Sequence, residues 1–148
     1  TDPAKLAQLC LQALEDEIAF QGAGTIAAFI MEPILGAGGV ILPHASFMPG
    51  VAALCRKHGI LLIADEVITA FGRTGAWTGS RLWGVKPDFA RTAKAITNVY
   101  FPFGAVMIAE AVAEVFEKDE TGKAEDEADA LNGHASASPE VRWLTSAR

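Results

Sequence analysis

Two uninterrupted apolar runs, each of strand length and each ending on an acid, constrain this chain more than any other feature of its sequence. Ile60-Leu-Leu-Ile-Ala64 is followed at once by Asp65, and Thr25-Ile-Ala-Ala-Phe-Ile-Met31 stops at Glu32-Pro33. A strand with one wet face alternates apolar with polar residues, so short unalternated runs belong to a sheet covered on both faces. Helical patterns lie between them. Asp2-Pro3 opens the first, with Asp as N-cap and Pro at the first helical position; Leu6, Leu9, Cys10, Ala13 and Glu17 then recur on one face over about four turns. The second runs from about Phe47 to His58 and closes at Gly59. Weaker strands at Asp88 to Thr92 and Gly104 to Ala109, then a helix from Glu110 to Phe116, continue the alternation. The pattern predicts an α/β fold, a mostly parallel sheet with helices on both faces.

The 148 residues, 51% of them apolar, suit one domain on the usual scale of ~100–200 residues. Twelve Lys plus Arg stand against eighteen Asp plus Glu, so no basic face is expected to neutralise a nucleic-acid backbone. Residues 117–130 carry a net charge of −5, which leaves −1 for the rest; they read as an acidic, solvated helix end or loop. The longest uncharged run, Pro33 to Cys55, holds three prolines and four glycines and is not expected to cross a membrane as a helix. The opening TDPAKLAQLC has neither the basic nor the apolar region of a secretory signal, so a cytoplasmic location is expected. Cys10 and Cys55, 45 residues apart, read as small buried hydrophobes in a reducing compartment.

In parallel sheets the carboxyl ends of the strands face the ligand crevice. The residues to weigh are therefore Glu32, Asp65, the stretch around Lys94 and the turn after Ala109. Asp65 leaves an apolar strand, where an unpaired charge is costly, so a cation is expected beside it. A helix cap or a structural ion pair is an equal reading of a lone strand-end Asp. LLIADE also matches the hydrophobic-run-then-acid pattern by which P-loop NTPases hold magnesium, which keeps a nucleotide-binding segment built on Asp65-Glu66 open as a rival. Its partner GxxxxGK[ST] is absent, and Gly36-Ala-Gly-Gly39, which has no Lys in place, reads as a turn. Lys94 has small alanines on both sides and no charge within two residues. Most lysines are solvated surface groups. One placed so can instead be desolvated, leaving a neutral amine available as a Schiff-base nucleophile.

Jointly, Asp65 and Lys94 supply what pyridoxal phosphate needs: a carboxylate to keep its pyridine nitrogen protonated, and an amine for its aldehyde. The sequence resembles the class III aminotransferases of the fold type I pyridoxal phosphate enzymes, often called omega-aminotransferases. The matching pieces are Met31-Glu-Pro, Gly36 to Pro43, Leu54 to Val67, Phe71-Gly-Arg-Thr-Gly75, Gly84-Val-Lys-Pro-Asp88, Ala93-Lys94 and Pro102-Phe-Gly-Ala-Val106. The 29-residue interval from Asp65 to Lys94 is similar to the family's own.

The resemblance implies a fold type I large domain in residues 1–116. It implies that Lys94 forms the cofactor aldimine and moves the proton, that Asp65 faces the pyridine nitrogen, that Val67 packs on a ring face, that Ile68 lies near the cofactor hydroxyl, and that Glu32 supports the site from behind. It further implies transfer of an amino group from an amine or omega-amino acid to a keto acid such as pyruvate, in a homodimer. A racemase or aminomutase of the same family stays open, as does a fragment that binds no cofactor. Two departures predict backbone strain, Ala70 and Val99, each where the family favours Gly. Gly133-His134 opens like a family stretch that contacts the cofactor phosphate of the partner subunit, but continues Ala135-Ser-Ala-Ser-Pro139. Residues 117–148 thus read as the acidic segment plus a divergent tail, and the chain resembles the middle third of the enzyme.

Overall fold

The computed structural model describes residues 2–118 and 141–145. Helix α1, Pro3–Gln21, starts where expected: the Asp2 carboxylate accepts the Ala4 amide at 3.2 Å. Its buried side chains are Ala7 and Ile18, with Leu11 and Leu14 packed against the core, whereas Leu6, Leu9 and Cys10 are exposed. The expected stripe was therefore the wrong one. Both stripes carry leucine, and contact with α2 (Phe47–His58) decides between them: a Cβ built on Gly50 would lie 2.4 Å from Leu11 Cδ1. Cys55 is buried as expected and Cys10 is not. Helix α2 ends on Gly59 in the left-handed region, φ 69°, and Arg56, Lys57 and His58 in its last turn complement the helix dipole.

The sheet runs in chain order: β1 (Ala28–Met31), β2 (Leu61–Asp65), β3 (Phe89–Thr92), β4 (Ala105–Ala109) and β5 (Val141–Thr145). The pairs β1–β2 and β2–β3 are parallel, while β4 runs antiparallel to both β3 and β5. Four strands thus share one direction and β4 opposes them. That reversal corrects one expectation: Ala109 closes its strand at the opposite edge from Met31 and Asp65, so the turn after it is not part of the crevice. No strand was expected in the tail, yet β5 extends the sheet. Helix α4, Glu110–Lys118, carries the expected helix past residue 116. The rest of the acidic segment and the Gly133 to Pro139 stretch lie outside the described residues.

Register places Met31, Ala64, Ala90 and Met107 in one row across the sheet, with the pair Phe29 and Leu62 two residues back on the same face. This row faces the core made with Ile18, Met48, Val51 and Cys55, so α1 and α2 cover one face. On the other face Ile30, Leu61 and Val106 remain partly exposed. At the amino ends of β2 and β3, Asp88 joins the strands: its carboxylate accepts the Leu62 amide at 2.7 Å, and its own amide donates to the Leu62 carbonyl at 2.9 Å. No helix among the described residues is long and apolar enough to cross a membrane.

Candidate active site

Asp65 is the last residue of β2 and shares its side of the sheet with Ile63, opposite the layer of α1 and α2. Its parallel partner on β3 is Arg91, so both side chains leave the same face at the same level. Arg91 Nη2 donates to Asp65 Oδ2 at 2.6 Å, and the Val67 amide donates to Oδ1 at 3.2 Å. The cation that an acid in this place requires is therefore Arg91, a residue the sequence reading did not name. The readable signal was a single arginine inside the apolar strand FART; its partner could be known only from the register.

Burial pushes the Asp65 carboxyl up, but the Arg91 hydrogen bond, the Val67 amide and the charges of Arg91 and Lys94 outweigh it and hold the group below its ordinary value. Arg91 is in turn raised by the Asp65 hydrogen bond, against partial desolvation, and by the charges of Asp65 and Glu32. Two acids and two bases thus gather at one edge: Glu32 after β1, Asp65 on β2, Arg91 on β3 and Lys94 just after β3.

Lys94 opens a 3-10 turn, Lys94–Ile96, at φ 50°. A non-glycine residue there is sparsely populated and costs of order 1–3 kcal/mol, strain that concentrates at functional sites. The desolvation expected for Lys94 is not found: it is exposed, as are Asn98, Val99 and Tyr100 beyond it. Of the two predicted strained positions, Val99 is at φ 65°, whereas Ala70 is regular and buried and the positive angle falls on Phe71, at 61°. Ala70 instead continues the local turn by donating its amide to the Glu66 carbonyl at 3.0 Å.

Glu32, Gly36 and Ile68 converge beside this edge. Glu32 Oε2 accepts the Gly36 amide at 2.9 Å, and a Cβ on Gly36 would lie 2.4 Å from Ile68 Cδ1 and 3.4 Å from that carboxylate. The glycine-rich segment is a turn closed by the Leu35–Ile41 bridge, and an amide already given to a carboxylate is not offered to a phosphate. Val67 and Ile68 are both partly buried.

Glu66 has a different job from its neighbour. It is fully buried, and its carboxylate accepts from Thr69 Oγ1 at 2.5 Å, the Gly79 amide at 2.7 Å and the Ser80 amide at 2.7 Å. It thereby pins α3, the single turn Gly79–Leu82, beneath the strand end. With Glu66 so engaged and Asp65 held by Arg91, the pair does not present two open carboxylates to magnesium, which removes the basis of the nucleotide-binding rival. Among the described residues no group of three or more His, Cys, Asp and Glu gathers as a metal site.

An ionised aspartate and a lysine with a left-handed backbone thus lie at one parallel-strand edge of an α/β sheet. The sequence profile of the aminotransferase class-III family matches residues 2–125, and the chain belongs to that family. It is 50% identical over 102 residues to gamma aminobutyrate transaminase 1, mitochondrial, of Solanum lycopersicum, an overlap of 69% of this chain and 20% of that protein. Its structure resembles a thermostable (S)-enantioselective omega-transaminase from Thermomicrobium roseum, with TM-score 0.78 and 45% identity over 81% of this chain and 27% of that one. It also resembles an amine transaminase from an uncultivated Pseudomonas species, solved in a PLP-bound form, with TM-score 0.77 and 52% identity over 78% of this chain and 26% of that one. The fold is that of the fold type I aminotransferases. The chain spans about a fifth to a quarter of the length of these relatives.

Proposed function

We propose that this chain is part of a pyridoxal-phosphate-dependent aminotransferase that moves an amino group from an amine or omega-amino acid to a keto acid such as pyruvate. The observation that carries the reading is the meeting of Asp65 and Lys94 at one sheet edge in a chain of this family. The residues fit the ring end of the cofactor by their chemistry: Asp65 is an acid kept ionised at a half-dry strand end, and Lys94 is an amine close enough to act on its charge.

When bound, pyridoxal phosphate would supply the electron sink that lets a substrate Cα–H bond break. Lys94 would hold the cofactor covalently and carry the proton to and from that carbon. Asp65 would keep a proton on the ring nitrogen. Val67 would pack against one ring face, with Ile68 near the ring hydroxyl. Glu32 would act one step back, by fixing the Gly36 turn against Ile68. Residues 1–116 would belong to the cofactor-binding large domain of a cytoplasmic homodimer, with 117–148 as the acidic segment and divergent tail. The naming of the relatives as transaminases supports amino transfer over racemisation or aminomutation.

The test is a titration of the complete enzyme with pyridoxal phosphate, followed by its visible absorbance, and then addition of an amine donor with pyruvate. A cofactor band that shifts on adding the donor, with alanine formed, is the expected outcome. A protein that binds no cofactor overturns the proposal.

A further inference from the structure

We infer that Arg91 is a positioning residue for Asp65: from the next strand it fixes the carboxylate and takes a share of its negative charge, so that less is left to hold a proton on a cofactor ring nitrogen. This inference rests on the proposed cofactor role of Asp65.

Geometry carries it. Asp65 and Arg91 are register partners on adjacent parallel strands, in a ladder continued by the Glu66 amide donating to the Arg91 carbonyl at 2.9 Å. Their backbones are fixed by the sheet, so the 2.6 Å contact needs no loop to form it. Both carboxylate oxygens are already engaged, Oδ2 by the guanidinium and Oδ1 by the Val67 amide. A protonated ring nitrogen brought to Asp65 must then share an oxygen with one of these donors. If it shares Oδ2, two cations face one acid, and the like charges disfavour the proton on the ring. The Asp65 side chain is 18% exposed and the Arg91 side chain 52%, so the pair is drier at its carboxylate end, where the guanidinium's charge is felt. The other charges in reach are Lys94, which acts on Asp65, and Glu32, which acts on Arg91.

The experiment uses the complete enzyme loaded with pyridoxal phosphate carrying nitrogen-15 in its ring, as wild type, Arg91→Leu and Arg91→Lys. The ring resonance is expected to move toward the protonated position in Arg91→Leu and to stay near wild type in Arg91→Lys, which keeps the charge. In the cofactor-free protein, the carbon-13 titration of the Asp65 carboxyl is expected to move to higher pH in Arg91→Leu. Borohydride labelling of Lys94 separates the two ways of failing. Labelling retained with an unmoved ring resonance overturns the role given to Arg91 and leaves the cofactor site standing. No labelling in wild type overturns the reading of the site and this inference with it.

Discussion

Val99 donates its amide to the carbonyl of Lys94 at 3.0 Å, and both residues hold left-handed backbone angles, φ 65° and 50°. The lysine is thus fixed by a hydrogen bond from a β-branched residue in a conformation that β-branched residues avoid. Replacement Val99→Gly keeps the bond and removes the strain, and little packing is lost because Val99 is 75% exposed. It should stabilise the protein by about 1 kcal/mol. The denaturant midpoint is expected to rise at unchanged slope; a midpoint at or below wild type would show that the left-handed turn costs nothing here.

Lys94 should be the residue that carries the cofactor. Borohydride reduction of the loaded enzyme followed by peptide mapping is expected to place the pyridoxyl group on Lys94. A label on Lys57 or Lys86 would sink the assignment. Lys57 pairs with Glu15 between α2 and α1, on the covered face and away from Asp65.

Asp65→Asn should preserve the fold yet slow amino transfer by at least ~10², about 2.7 kcal/mol of barrier, because the ring nitrogen loses its anion. The same variant has a pH signature in stability. Since the Asp65 carboxyl is held below its ordinary value, the ionised form stabilises the fold above the unfolded carboxylate range. That contribution is lost as the pH falls through the lower folded value. The stability difference between wild type and Asp65→Asn is therefore expected to shrink below about pH 4. A difference constant down to the acid transition would mean that the ion pair with Arg91 adds nothing to folding.

Glu66→Ala should be more damaging to the fold than any change at Asp65. It strands the Gly79 and Ser80 amides in a buried place, at roughly 1–3 kcal/mol for each unpaired donor. Glu66→Gln keeps the shape but turns one oxygen into a donor facing a donor, and should fall between. Thermal unfolding of the three proteins orders them; a Glu66→Ala protein as stable as Asp65→Asn would contradict the role given to this carboxylate.

β1, β2 and α2 could be read from sequence because each is bounded by a local signal, Glu32-Pro33, Asp65 and Gly59, whereas nothing in the tail marked β5. What sequence could not give is whatever depends on a partner distant along the chain. The buried stripe of α1 was misread because Leu6 and Leu9 are as apolar as Leu11 and Leu14, and only Gly50 on α2 tells them apart. Arg91 was missed for the same reason, since its meaning lies in a register between strands. The direction of β4 was misjudged because its run Ala105 to Ala109 has the composition of a covered strand whichever way it points. Within the site, Asp65 and Lys94 stood out by position, whereas the distinct task of Glu66 was hidden by its adjacency to Asp65.

The reversal at β4 also bears on the order in which the molecule assembles. Thr92 meets Ala105 only 13 residues on, whereas Met31 must find Ala64 across a crossover of 33 residues. Closing the shorter loop takes less chain entropy, and contacts local in sequence tend to form early. The turn that bears Lys94 lies inside that short closure, so it can take shape while the crossovers are still open.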